Sequence, residues 1–125
     1  ETTTAGVTVS GTVSDSKGNL RSIPHSSQTS NYTLVAADAG KVVSTNTTGW
    51  VIPASTFSGG DAVTLMNRSS GDLTIDASAL TTLYNSADGA NVKASTLTLA
   101  TRTMATIWFE ASSSAYIQAS ALTVS

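Results

Sequence analysis

Residues 103–111 read TMATIWFEA, residues 115–124 read AYIQASALTV, and three serines, Ser112 to Ser114, lie between them. Apolar and polar residues alternate through both runs, which is the pattern of a strand with one buried face. Two such runs joined by small polar residues predict a β-hairpin. Trp108 and Phe109 are neighbours, so their side chains point to opposite faces. One of them enters the core. The other is covered either by a second layer of the same domain or by a partner chain.

The same alternation recurs along the rest of the chain and predicts roughly nine or ten strands. Strand patterns occupy residues 5–14, 32–35, 41–44, 50–52, 62–67, 73–75 and 92–99, with extended chain also favoured for 77–84. Turn residues separate these runs every ~8–12 residues, a spacing typical of a sandwich or barrel. We therefore expect an all-β, antiparallel β-sandwich that is jelly-roll-like or another Greek-key type. Residues 1–9 are predicted to form an N-terminal arm or linker, and residues 10–125 a single β domain. No internal repeat is visible, and no long helical pattern supports a βαβ architecture.

The composition is poor in reactive side chains. The 125 residues include 21 Thr and 20 Ser, but one His, no Cys, six Lys+Arg and eight Asp+Glu. A catalytic site usually needs several convergent titratable groups, so we expect a protein that is not an enzyme and that uses no cofactor. The net charge of −2 gives no basic patch for nucleic acid. No apolar run approaches the ~20 residues of a membrane-spanning helix.

The chain is thinly charged, with 11% charged residues against about 25% in typical soluble domains. Such a surface suits a chain that is covered by copies of itself or by a larger particle. The first residue is Glu1 rather than Met, so we expect either a processed start or a part of a longer protein.

His25 is the single candidate base for nucleophilic catalysis, and its setting in Ile23 to Ser27 predicts an exposed or interfacial loop residue instead. Four acidic residues stand near predicted turns and are candidates for a calcium site: Asp61, Asp72, Asp76 and Asp88. Their spacing does not fit an EF-hand loop, and turn capping is the commoner role for such residues. We therefore predict no catalytic, cofactor-binding or metal site.

A carbohydrate-binding sandwich would need an exposed aromatic ring beside an amide or carboxylate. Two pairs qualify in the sequence, namely Trp50 with Asn46 and Tyr116 with Gln118. Either pair makes neutral glycans of a host surface candidate ligands.

The stretch from Leu20 to Val43, LRSIPHSSQTSNYTLVAADAGKVV, resembles a module of bacteriophage virion proteins. This module is found in tail-fibre and other particle-surface proteins, notably of phages that infect marine and cyanobacterial hosts. The matching residues are Ile23-Pro24, Ser27, Thr29, Tyr32 to Leu34, Ala36, Asp38, Gly40-Lys41, Phe57-Ser58, Gly60 to Val63, Asn67, Arg102 to Thr106 and Tyr116-Ile117. The likeness covers about residues 10 to 122. Val42 stands where the module often carries His, and no site residue is carried over.

The resemblance implies an all-β and trimeric virion component. We expect a non-enzymatic outer capsid decoration (cement) protein, which would contact the major capsid protein or other virion proteins on the particle surface after assembly in the host cytoplasm. The alternative within this class is the distal domain of a tail or head fibre that binds the host surface. The alternative from another class is the carbohydrate-binding module.

Overall fold

The structure, a computed structural model, describes residues 6–124; the first five residues of the predicted arm and Ser125 lie outside this range. Thirteen strands and one 3-10 helix, Ala36–Asp38, form the described chain, with no α-helix among these residues. The first strands are β1 (Ser14–Asp15), β2 (Gly18–Asn19), β3 (His25–Gln28), β4 (Tyr32–Thr33), β5 (Val42–Thr45), β6 (Trp50–Val51) and β7 (Ala62–Asn67). The remaining strands are β8 (Leu73–Asp76), β9 (Thr82–Asn85), β10 (Leu97–Leu99), β11 (Met104–Ala111), β12 (Ser114–Ala119) and β13 (Leu122–Thr123). The all-β prediction is confirmed.

Two main sheets, both mixed, make up the domain. The six-stranded sheet has the order β3-β5-β7-β11-β12-β9, and the five-stranded sheet has the order β13-β10-β8-β6-β4. Strands β1 and β2 form a separate hairpin. Five of the ten strand pairings are parallel. The prediction of an antiparallel, jelly-roll-like sandwich is therefore wrong in its strand direction.

The chain changes sheet after every strand from β3 to β10. From β3 to β8, each return to a sheet brings the next strand beside the previous one in the same direction, so β3, β5 and β7 run parallel. Strands β4, β6 and β8 do the same in the other sheet. A parallel connection usually contains a helix, but here a strand of the opposite sheet takes that place. Three stacked coils, β3–β4, β5–β6 and β7–β8, result.

The predicted C-terminal hairpin is confirmed for β11 and β12, which pair from Ala105 with Ala119 to Ala111 with Ser114. The second strand, predicted over residues 115–124, ends at Ala119, and Leu122–Thr123 pairs with β10 in the other sheet. The two other strands that were predicted after residue 76 are shorter than expected, namely β9 and β10. Residues 77–81 turn instead, because Asp76 Oδ1 accepts a hydrogen bond from the Ser78 amide and the Leu80 amide donates to the Ala77 carbonyl. This turn carries the chain from one sheet to the other.

One apolar core lies between the two sheets. Strand β7 alternates buried and half-buried residues, and β11 alternates buried and exposed ones, so each strand contributes one face. Buried residues of both sheets, such as Leu65, Ile107 and Phe109 from one and Ile75 and Leu97 from the other, belong to the same cluster. The arrangement is sandwich-like, and it leaves the opposite face of each sheet uncovered by any other part of residues 6–124.

Polar side chains occupy the same corner of successive coils. Gln28, Thr45 and Asn67 end their strands, and they pair in register with one another. Thr45 is fully buried, and its hydroxyl accepts hydrogen bonds from the two backbone N–H groups at residues 47 and 48. Asn67 is also fully buried, and its amide donates to the Leu99 carbonyl at 2.9 Å. The side chains of Thr45 and Asn67 thus satisfy backbone groups that a crossing between sheets leaves without a ladder partner.

Gly49 lies between β5 and β6, where the chain crosses from one sheet to the other and passes against β8. A Cβ atom at this position would lie 1.8 Å from the backbone carbonyl oxygen of Thr74, which is far inside van der Waals contact. The next residue, Trp50, is fully buried in the core and pairs with Ile75 of β8. Glycine is therefore required for the second and third coils to approach each other.

The segment before β1 differs from its prediction. Alternating Val7, Val9 and Val13 predicted a strand over residues 5–14, but no strand begins before Ser14 in the described chain. These valines are exposed, with 83% of the surface of Val7 accessible. The alternation is that of a strand, but residues 6–13 have no neighbouring strand with which to pair.

Replacing Gly49 with Ala should destabilise the fold by about 3 kcal/mol or more, because the new methyl group overlaps the Thr74 carbonyl and one coil must move. Gly71→Ala is the matched control, since a Cβ at Gly71 meets no atom within 4 Å. The control should change the free energy of unfolding by less than about 0.5 kcal/mol. Urea unfolding followed by tryptophan fluorescence measures both variants. Equal stability of the two would contradict the close approach.

Candidate functional surface

The outward side chains of the six-stranded sheet form a surface that is exposed or half-buried except at Ser44, and we call it the outer face. They alternate with the core residues along each strand. The outer face consists of His25, Ser27, Val42, Ser44, Ala62, Thr64, Met66, Met104, Thr106, Trp108, Glu110, Ser114, Tyr116, Gln118, Thr82 and Tyr84. Glu110 is the only charged residue in this set. The outer face is thus a nearly uncharged surface that spans six strands.

Three aromatic rings lie in one row of the outer face. Trp108, Tyr116 and Tyr84 pair across β11, β12 and β9. The ring centroids of Trp108 and Tyr116 are 6.0 Å apart, and those of Tyr116 and Tyr84 are 5.3 Å apart. Trp108 is 45% exposed and Tyr116 is 38% exposed. This row is the largest aromatic surface that the described chain leaves open.

The prediction that Trp108 and Phe109 point to opposite faces is confirmed. Phe109 is fully buried and stacks on Phe57, with ring centroids 4.6 Å apart. Trp108 remains 45% exposed, and the Tyr116 ring packs beside it. A second layer of the same domain and a partner chain were the two predicted ways to cover the outward ring. Residues 6–124 supply no second layer over Trp108. Tyr84 was not singled out from the sequence, because its place in the row depends on the parallel pairing of β9 with β12.

At the edge of the outer face away from the aromatic row, polar side chains form a hydrogen-bonded network. His25 Nε2 lies 2.6 Å from Ser44 Oγ. Arg68 donates from Nε to Ser44 Oγ and from Nη2 to Ser27 Oγ, both at 2.9 Å. The Arg68 side chain therefore lies back over β5 and β3. These contacts join the three parallel strands of the coil stack across their outer side.

His25 was predicted in a loop, but it begins the edge strand β3 because its backbone pairs with Val42. The 2.6 Å contact has the length expected of a nucleophile and its base. However, Ser44 is fully buried beneath its neighbours, and its oxygen already accepts a hydrogen bond from Arg68. Among residues 6–124 no carboxylate hydrogen-bonds to His25. The network holds strands together and offers no open oxygen to a substrate.

The four carboxylates considered for calcium lie in separate turns. Asp61 accepts a hydrogen bond from the Ser58 amide, and Asp88 accepts one from the Ala90 amide. Asp72 accepts from the Thr101 amide, and Asp76 from the Ser78 amide and hydroxyl. Asp61, Asp76 and Asp88 each cap their own turn, whereas Asp72 joins its loop to the loop that contains Thr101. Within residues 6–124 no three His, Cys, Asp or Glu side chains are grouped as metal ligands.

The sequence of residues 36–40, AADAG, predicts a tight turn or one helical turn in which Asp38 makes a local backbone hydrogen bond. The structure confirms this hydrogen bond. The carboxylate is buried, and its Oδ2 accepts hydrogen bonds from the Val35 amide and the Tyr32 hydroxyl, both at 2.9 Å. Gly40 then takes the left-handed conformation, with φ of 80°, that ends the turn. Burial, together with the hydrogen bond to Asp38, raises the pKa of Tyr32 to about 12. This cluster fixes the return from β4 to β5.

Of the two pairs predicted as candidates for carbohydrate binding, the prediction for Trp50 with Asn46 is wrong. The Trp50 ring is 1% exposed because its strand faces the core. Tyr116 and Gln118 do lie on the same side of β12 and are both exposed. The Gln118 amide oxygen accepts a hydrogen bond from the Ser86 hydroxyl, which holds this side chain beside the aromatic row.

Comparison of the chain with protein-family models, with curated proteins and with solved structures finds no match in any of the three. None of the helical structure in residues 6–124 has the length and apolar character needed to cross a bilayer. No cavity is present in this part of the chain. The outer face is consequently the surface from which a function can be argued.

Replacing Tyr32 with Phe should reduce the fall in stability between pH 10 and pH 12. The folded-state pKa of Tyr32 lies above the ordinary value of about 10, so the folded chain holds this proton more tightly than the unfolded chain. That contribution is complete below pH 10 and is lost as the pH approaches 12.

Urea midpoints measured at pH 8, 10, 11 and 12 for both chains give the comparison. Tyr84→Phe is the control, because Tyr84 lies on the outer face away from Asp38. Parallel pH profiles for the wild type and Tyr32→Phe would contradict the assignment.

Proposed function

We propose that this chain is a non-enzymatic structural component of a bacteriophage virion. Its place is the outside of the head, where it acts as a homotrimeric capsid decoration protein and contacts the major capsid protein. The resemblance of residues 10–122 to virion-surface modules supplies the class of protein. The trimer and the virion location are expectations of that resemblance, with assembly in the host cytoplasm.

The observation that carries the proposal is uncovered apolar surface. Trp108, Tyr116 and Met104 are exposed on the outer face, and Met104 is 48% accessible. Val7 in the predicted arm is 83% accessible, and Ile23 between β2 and β3 is 70% accessible. Large apolar patches on a protein surface mark interaction sites. A chain with this surface and little charge fits a protein whose working state is an assembly.

Decoration would act by mass action. A protein that binds across neighbouring capsid subunits binds the assembled shell and not the dissociated subunits, so each bound copy stabilises the shell. Residues 6–12, which include the described part of the predicted arm, are exposed, have the alternation of a strand and belong to no strand of the described chain. Addition of such a segment to a sheet edge of a neighbour is an established mode of protein recognition.

The number of copies per particle tests the proposal. Quantitative peptide counting on purified virions should find this chain in hundreds of copies, and light scattering on the isolated chain should give a multiple of three monomer masses. A few dozen copies per virion would instead favour the distal domain of a tail or head fibre, in which the loops bind the host surface. A chain absent from every particle would overturn the virion proposal.

A carbohydrate-binding module is the second candidate, and the exposed pair Tyr116 and Gln118 favours it. If it is right, neutral oligosaccharides should bind with millimolar or tighter affinity, as followed by the fluorescence of the exposed Trp108. Tyr116→Ala should abolish binding, whereas Phe57→Leu in the core should leave it unchanged in folded protein. No binding at millimolar glycan would exclude this candidate.

A further inference from the structure

The outer face and its counterpart on the five-stranded sheet differ in chemistry. The outward residues of the smaller sheet are mostly threonine, at positions 33, 74, 98 and 123, and include no aromatic ring. The outer face instead presents Trp108, Tyr116 and Tyr84 beside two methionines. Tryptophan, tyrosine, methionine and arginine are the residues that enrich protein–protein interfaces, whose centres are depleted in charge. The outer face therefore has the composition of an interface between proteins.

Its residues are divided into two halves. One half is the aromatic row, Trp108, Tyr116 and Tyr84. The other half contains Met66 and Met104, which pair across β7 and β11. The Thr64 and Thr106 hydroxyls, 3.0 Å apart, lie between the halves. Sulfur atoms of methionine make favourable contacts with aromatic rings, so each half is a suitable partner for the other.

Two charged residues that extend the outer face, Glu110 and Arg68, lie at opposite ends of it. Glu110 follows Trp108 on β11, beyond the aromatic row. Arg68 follows Met66, beyond the methionines, and its guanidinium lies over Ser44 and Ser27. Among residues 6–124 neither side chain has an ion-pair partner within the chain. A surface with an acidic end and a basic end is complementary to itself when a second copy faces it in reverse.

We propose that two copies of this chain pair through their outer faces about a two-fold axis. The axis lies in the plane of the interface and crosses the strands near Thr64 and Thr106. This arrangement places Trp108 of each copy opposite Met104 of the other, because the axis reverses β11 about Thr106. It also brings Glu110 of each copy to the end of the interface that carries Arg68 of the other. Residues at the centre are uncharged, as the core of a specific interface requires.

A glycan fits the outer face less well than a second copy does. The aromatic rings are tilted against one another, by 43° for Trp108 with Tyr116 and 37° for Tyr116 with Tyr84. The row therefore offers no flat platform. No cavity in residues 6–124 would surround a sugar, whereas small-ligand sites are usually concave.

A charge placed at the centre of the interface tests the pairing. Thr106 and Thr74 are both exposed threonines within strands, one on the outer face and one on the smaller sheet. In light scattering and sedimentation over a range of concentrations, Thr106→Arg should weaken association of the full chain by about 100-fold or more. Thr74→Arg, the matched control, should associate as the wild type does. Equal masses for wild type and Thr106→Arg at every concentration would overturn the pairing.

An exchange of charges tests the orientation of the two copies. Glu110→Arg alone and Arg68→Glu alone should each weaken association by about three- to tenfold, because both pairs in the symmetric interface become repulsive. The double variant should restore most of the affinity. Thermal unfolding identifies any variant whose fold is damaged, since Arg68 also binds Ser44 and Ser27. Failure of the folded double variant to recover would overturn the two-fold arrangement.

The pairing goes beyond the proposed virion role, and the two can fail separately. A dimer, or a hexamer made of two trimers, that dissociates in Thr106→Arg supports the pairing. A trimer that Thr106→Arg leaves intact overturns the pairing and leaves the decoration role in place. A monomer that binds neutral oligosaccharide, and loses this binding in Thr106→Arg, overturns the pairing in favour of the carbohydrate candidate.

Discussion

The fold depends on how the chain crosses between its two sheets, because every crossing removes backbone groups from the hydrogen-bonded ladders. Without a hairpin partner, such groups must be satisfied by side chains or remain costly. At two successive corners Thr45 and Asn67 bond to such backbone groups. Gln28 stacks in register with them but donates to the Ser26 hydroxyl. At the return from β4 to β5, Asp38 has the corresponding role. The core and the outer face both follow from crossings that are closed in this way.

Local features of this architecture could be predicted from the sequence. The alternation in residues 103–124 predicted the hairpin, and the pattern around Asp38 and Gly40 predicted the tight turn. Strand direction could not be predicted, because parallel pairing joins residues far apart at irregular intervals. His25 pairs with Val42, 17 residues later, whereas Val42 pairs with Thr64, 22 residues later. Coils of unequal length leave no fixed period in the sequence, so the structural repeat was not detected.

Some features of the candidate surface could likewise be predicted from the sequence, and others could not. The opposite orientations of Trp108 and Phe109 follow from the geometry of a single strand. Tyr84 joins Trp108 only through two further strands, and His25 meets Ser44 and Arg68 only when three coils are stacked. Trp50 was misplaced for a related reason, since alternation along one strand does not tell which of its faces the second sheet will cover. Surface chemistry that spans several strands is a property of topology.

The unequal lengths of the coils also affect how such a domain evolves. Each coil rests only on the coils beside it, as in other stacked repeat proteins. The register is kept by one polar residue per corner, while the stretch between corners already varies by several residues. Insertions and deletions between corners are therefore neutral changes, whereas substitution of Asn67 or Gly49 is not. A lineage of such domains would diverge quickly in length and composition while it keeps its shape, which makes kinship hard to recognise from sequence.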